Sequence, residues 1–150
     1  MNDVFITPVV NSTRSVFASL AGCKIEPGPA TSDVFAPPHD LCGMVGMSGS
    51  TSAMVLVHLN QQTALEVTGA MLGEKPLEVN SEVIDVVGEL TNMIAGGAKA
   101  KLAPMFAVLS LPVVVVGSQA RVGLVSRSRH VCVPFETPWG GMTVEFSVEA

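Results

Sequence analysis

Cysteine is scarce in this chain, and the three copies present exclude two common devices. Cys23, Cys42 and Cys132 are odd in number and far apart, so they build neither a disulfide framework nor the paired spacing of a metal knuckle. They read as thiols packed like small apolar side chains. Basic residues are also few: eight Lys and Arg against thirteen Asp and Glu leave a net charge of −5. Phosphate backbones demand clustered cations, so nucleic acid is excluded as the main partner and a basic protein surface fits better. No apolar run reaches the roughly 18 residues of a membrane span. The N-terminus also lacks a basic segment followed by a long apolar block. The expectation is a cytoplasmic protein with no membrane partner. Internal repeats and low-complexity segments are missing too.

The familiar catalytic signatures are absent. Gly43, Gly46, Met47, Ser48 and Gly49 glance at a phosphate loop and at a nucleophile elbow. The phosphate-loop lysine is missing, however, and Ser50 stands where the elbow needs glycine, so the stretch reads as a hairpin turn. His39, His58 and His130 are scattered over a loop and two strands without metal-ligand spacing. His58 reads as a strand residue with a hydrogen-bonding neighbour, and Trp139 as a turn residue folded over a hairpin.

What is present is core material. At 150 residues and 48% hydrophobic content, one domain spanning 1–150 is the simplest expectation. Residues 2–21 place Phe5, Val9, Val16, Phe17 and Leu20 on one helical face, with Thr7 and Pro8 offering a cap and first-turn proline and Gly22 a stop. Prolines at 27, 29, 37 and 38 make 23–40 a surface connection with room for a brief extended piece near Val34. Leu41–Met47 and Ser52–Leu59 read as a hairpin, the second strand central and buried on both faces. Gln61–Leu72 reads as a helix between an Asn60 cap and a Gly73 stop. Residues 104–111 fit a helical turn or an extended piece equally well. Pro112–Gly117 is a β-branched strand, 118–128 is polar, and alternation around Thr137–Gly141 predicts a terminal hairpin. The order gives an α+β layout: a largely antiparallel sheet packed with a long amphipathic helix pair and an N-terminal helix.

Asn80–Leu102 stands apart because one helical period carries two surfaces. Val83, Val86, Val87, Leu90, Met93 and Ile94 recur at three- and four-residue steps and predict a buried face. Glu82, Asp85, Glu89 and Asn92 recur by the same steps on another stripe, so three acids and a carboxamide face outward together. Asn80 or Ser81 caps the start, Lys99 and Lys101 suit the negative end, and Pro104 marks the stop. Gly88, Gly96 and Gly97 cost about 1 kcal/mol each relative to alanine in a helix. Two explanations fit them: close approach of a partner backbone, or tight packing on this chain's own elements.

Asp85-x-x-x-Glu89-x-x-Asn92, within GELTNMIAGGAK, resembles the signature of the CheC/CheX/FliY phosphatases of bacterial chemotaxis. Element order and length resemble the family over essentially the whole chain, and the single Glu-x-x-Asn copy resembles its CheX branch. This resemblance implies a CheC/CheX-like fold and a homodimer with sheets joined across a twofold axis, for which the terminal strand is a plausible edge. It also implies hydrolysis of the phosphoaspartate of a CheY-like receiver domain. Asn92 would then orient the attacking water and Glu89 would pair with the partner's lysine. Asp85, Glu82, Gly88 and Gly96 would meet the partner. The receiver would supply Mg²⁺, so this chain binds no cofactor or metal of its own. The competing expectation is a non-catalytic module that binds a response regulator or a flagellar-switch protein through the same helix.

Overall fold

Period-two alternation builds the scaffold. Strands β2 (His39–Gly49) and β3 (Ser52–Leu59) pair from Leu41↔Leu59 to Ser48↔Ser52, and β6 (Arg129–Thr137) pairs with β7 (Gly140–Val148) from Arg129↔Val148 to Thr137↔Gly140. The structure, a computed structural model, describes residues 3–32, 36–123 and 129–149. β7 docks antiparallel on β3 and joins the hairpins into one sheet. With β1 (Glu26–Pro27), β4 (Phe106–Leu109) and β5 (Val113–Ala120) the order is β1-β6-β7-β3-β2-β4, and β5 shares the outer edge of β2 with β4. β3 is central and buried along most of its length, as its near-continuous apolar run predicts.

Helices α1 (Asp3–Ala21), α2 (Gln61–Leu72) and α3 (Ser81–Lys101) complete the α+β fold. Val55, Val57 and Leu59 of β3 and Val144 and Phe146 of β7 share a core with Phe17, Val67, Leu90 and Ile94 of the helices. Residues of opposite parity, Leu56, His58, Glu145 and Cys132, are buried as well. There His58 Nε2 lies 3.0 Å from Glu145 Oε1, the neighbour expected for this histidine. Burial, with the Glu145 carboxylate adding to it, pushes the Cys42 thiol up to about 12, so it packs as an inert small side chain. Among the described residues no helix is long and apolar enough to cross a membrane.

Several local expectations are corrected. α1 starts at Asp3, so Pro8 lies inside the helix rather than in its first turn; burial of Phe5 and Val9 carries the helical path past it. Asn60 makes no side-chain cap, because Asp40 Oδ2 accepts from Gln61 N at 2.8 Å instead. Asp40 Oδ1 also accepts from Gln119 N at 3.1 Å, so one carboxylate ties α2 to the end of β5. Gly73 adopts the left-handed conformation of a helix stop, φ 84°. The ambiguous 104–111 segment contains strand β4. Part of the 23–40 connection is sheet: β1 and the bridge Thr31↔Cys132 run along β6, while Val34 lies outside the described residues. The terminal strand is no edge. β7 is held between β6 and β3, and β5 forms an outer edge instead.

Two predictions follow from packing and burial. A Cβ on Gly43 would overlap the Thr91 hydroxyl and lie 3.0 Å from Thr91 Cβ and 3.2 Å from the Val87 carbonyl oxygen. Gly43→Ala is expected to cost about 1–3 kcal/mol and to lower Tm by about 2–4 °C for each of these, with part recovered by adding Thr91→Ala. A thermal melt of the double-mutant cycle checks this; an unchanged Tm for Gly43→Ala would contradict the contact. The second concerns His39, whose pKa burial lowers below 6.5, with the neighbouring His58 ring adding to the effect and the hydrogen bond to the Pro37 carbonyl opposing it. The unfolded chain then takes up this proton at a higher pH than the folded chain. The contribution is complete above the unfolded pKa and is lost as pH falls from there toward the folded value. Tm is expected to fall between about pH 7.5 and about pH 5.5, with a shallower slope in His39→Gln.

Candidate active site

α3 is placed by its own ends and by both flanks. Asn80 Oδ1 accepts from Val83 N at 3.1 Å, Glu82 sits in the first turn, and Lys99 and Lys101 sit in the last. Val83, Val86, Val87, Leu90 and Ile94 are buried against the sheet and α1, and Met93 is half-buried at their margin. Thr91 Oγ1 donates back to the Val87 carbonyl at 2.8 Å and rests on Gly43 of β2. On the side toward α1, Ser12 Oγ donates to the Ile94 carbonyl at 2.6 Å, and a Cβ at Gly97 would overlap that hydroxyl. With both flanks seated, the rotation of the helix is fixed.

The outward face is the stripe read from the sequence. Glu82, Asp85 and Glu89 are exposed, and Asn92 is half-buried on the same face. At 1.5 Å of rise per residue, Glu89 and Asn92 stand about 4.5 Å apart along the axis and the row from Glu82 to Asn92 spans about 15 Å. Among the described residues no hydrogen bond or ion pair holds Glu89 or Asn92, so both polar groups are available to something outside the chain. A carboxamide offers one oxygen and two N–H donors but no base at neutral pH; it can orient water and cannot deprotonate it. Among the described residues no group of three or more His, Cys, Asp or Glu could hold a metal ion.

The glycines divide by what surrounds them. A Cβ on Gly88 would sit 3.6 Å from the Pro112 ring and 3.7 Å from Val114 Cγ2, and Gly88 is buried, so the expected contact with a partner is corrected: this chain's own β5 end covers it. Gly97 is likewise accounted for by α1. Gly96 is half-buried and would meet only Leu109 Cδ1, at 3.9 Å. Among the described residues nothing demands glycine there, and it lies one turn beyond Asn92.

The border of this face was not legible in the sequence. Leu109 lies beside Gly96, Pro112 beside Gly88, and these glycines are four residues either side of Asn92, so the link from β4 to β5 runs along the flank that carries the amide. The run PMFAVLSLP holds the residues, but only long-range pairing of β4 with β2 brings them here.

The family described as chemotaxis phosphatase CheX matches residues 41–136. The chain is similar to the CheY-P phosphatase CheX of Thermotoga maritima, at 27% identity over 104 residues covering 68% of this chain and 67% of the relative. It is similar to a CheC-like superfamily protein from Shewanella sp. PV-4, at 32% identity over the whole of both chains with a TM-score of 0.89. The CheX–CheY–BeF3–Mg²⁺ complex from Borrelia burgdorferi shows the same fold, with a TM-score of 0.79 and 22% identity over 97% of this chain and 98% of that one. The family match and the shared fold agree: the chain belongs to the CheX family of chemotaxis phosphatases.

Proposed function

We propose that this chain hydrolyses the phosphoaspartate of a CheY-like receiver domain and that α3 is the surface that does so. Support comes from family membership, from the Thermotoga relative, which is a CheY-P phosphatase, and from the Borrelia relative, which forms a complex with CheY, BeF3 and Mg²⁺. The observation that carries the site is one acid and one amide, a helical turn apart on an outward face, whose side chains bond to nothing else among the described residues.

Hydrolysis of an acyl phosphate is chiefly a matter of placing water in line while cations absorb charge. In this scheme the receiver brings the phosphoaspartate, Mg²⁺ and a lysine. Asn92 binds the attacking water through its carboxamide and aims it at phosphorus. Glu89 pairs with the receiver's lysine and sets the register of docking, because a desolvated ion pair is geometrically selective even where its net energy is small. Asp85 and Glu82 extend the negative row and steer the encounter. Gly96 leaves the approach to Asn92 open. A cytoplasmic location follows from a cytoplasmic receiver.

We also infer a homodimer, with β5 as its edge. Among the described residues β5 pairs with β2 alone, and Val113, Val115 and Val116 are exposed along it. A β-branched edge of this kind is a template for strand pairing with a second copy.

Phosphate loss from a phosphorylated CheY-like receiver in Mg²⁺ is expected to accelerate with wild-type protein. Asn92→Ala is expected to keep receiver binding and lose about 10²-fold or more in rate, while Glu89→Ala loses both. Equal decay for all three proteins would reject catalysis and leave a binding module. Raising salt from about 0.05 M to about 0.5 M is expected to weaken wild-type binding. For the dimer, Val116→Lys is expected to halve the sedimenting mass; a monomeric wild type would reject it.

A further inference from the structure

Leu111, on the link between β4 and β5, is a large apolar side chain with 87% of its surface in water. Its neighbours in sequence are firmly held. Ser110 N donates to the Gly46 carbonyl at 2.8 Å, Gly46 N donates to Ser110 Oγ at 2.8 Å, and Ser110 Oγ donates to the Leu111 carbonyl at 3.2 Å. On one side Leu109 approaches Gly96; on the other Pro112 covers Gly88. The backbone at Leu111 is therefore fixed to the sheet and flanks the turn of α3 that carries Asn92, while its side chain stands almost wholly in solvent. Val108 and Val113 on the same stretch are exposed as well, so the leucine belongs to a run of solvated apolar side chains beside the acidic row, the kind of surface that marks an interaction site.

We propose that Leu111 is a docking residue for the receiver domain: it buries its side chain against an apolar spot next to the phosphorylated aspartate and so holds the phosphate in reach of Asn92. The occupant is the same receiver that the acidic row would engage, because the link is continuous with that row and a partner seated over Glu89 and Asn92 would cover Leu111 as well. This rests on α3 being the phosphatase surface. The acids give charge complementarity and rate of encounter, which salt screens; the leucine adds a salt-insensitive apolar anchor that is preorganised before binding.

The test is a steady-state comparison on a CheY-like receiver phosphorylated with a small phosphodonor in Mg²⁺. Leu111→Ser is expected to raise KM about tenfold with kcat held within about twofold, and Leu111→Met to restore KM to within about threefold of wild type. The rise in KM should persist at high salt, since no charge is removed. An unchanged KM for Leu111→Ser overturns the assignment, as does a change in sedimenting mass, which would place Leu111 in self-association instead. Wild type and Asn92→Ala are measured alongside. If those two are equal, the phosphatase assignment itself has failed; if wild type is faster and only the Leu111 variants are silent, the docking role alone has failed.

Discussion

Thr91 rests on β2 at the one place where Gly43 withholds a side chain, and the angular setting of α3 follows from that contact. A helix packed on a sheet through ordinary side chains can roll as its neighbours change rotamer. Here the hydroxyl is bonded to Val87 and pressed toward the strand, while Ser12 grips the same helix from α1 through the Ile94 carbonyl. Two close approaches on different flanks leave no freedom to roll. Glu89 and Asn92 inherit their outward direction from residues on the far side of the helix, which is why buried glycines matter to an exposed site.

Much of this is legible in the sequence, and for a physical reason. The buried and exposed faces of α3 are written by local periodicity, so Val83 to Ile94 and Glu82 to Asn92 sort themselves without knowledge of the sheet. The two hairpins are equally local: alternation and turn residues fix β2 with β3 and β6 with β7. What failed were questions of distance along the chain. Which hairpin strand lies at the rim depends on how the hairpins meet, and β7, an expected edge from its alternation alone, is enclosed by β3. Gly88 reads the same whether a partner or Pro112 stands over it, and only the return of β5 decides. Asn60 was a sound cap by composition, but Asp40 reached the helix start first from an adjoining strand. The pair Glu89 and Asn92 stands out in the sequence through its context and not through its spacing.

The composition also makes sense in these terms. An enzyme whose substrate is itself a folded protein can leave the metal, the cation and the electrophile to that substrate. Its own share shrinks to geometry and one oriented amide. A paucity of His, Cys and basic side chains is then compatible with catalysis, and a negative face suits a partner that presents a lysine and a bound cation.

Gly96 differs from its fellows in what it forgoes. Gly43 and Gly97 are required by packing, since a Cβ at either would overlap the Thr91 or the Ser12 hydroxyl. Gly96 has space around it, and alanine there would make the helix more stable by about 1 kcal/mol. The molecule carries a small avoidable weakness one turn beyond Asn92, and if the receiver docks on this face as proposed, that weakness is sturdiness traded for access.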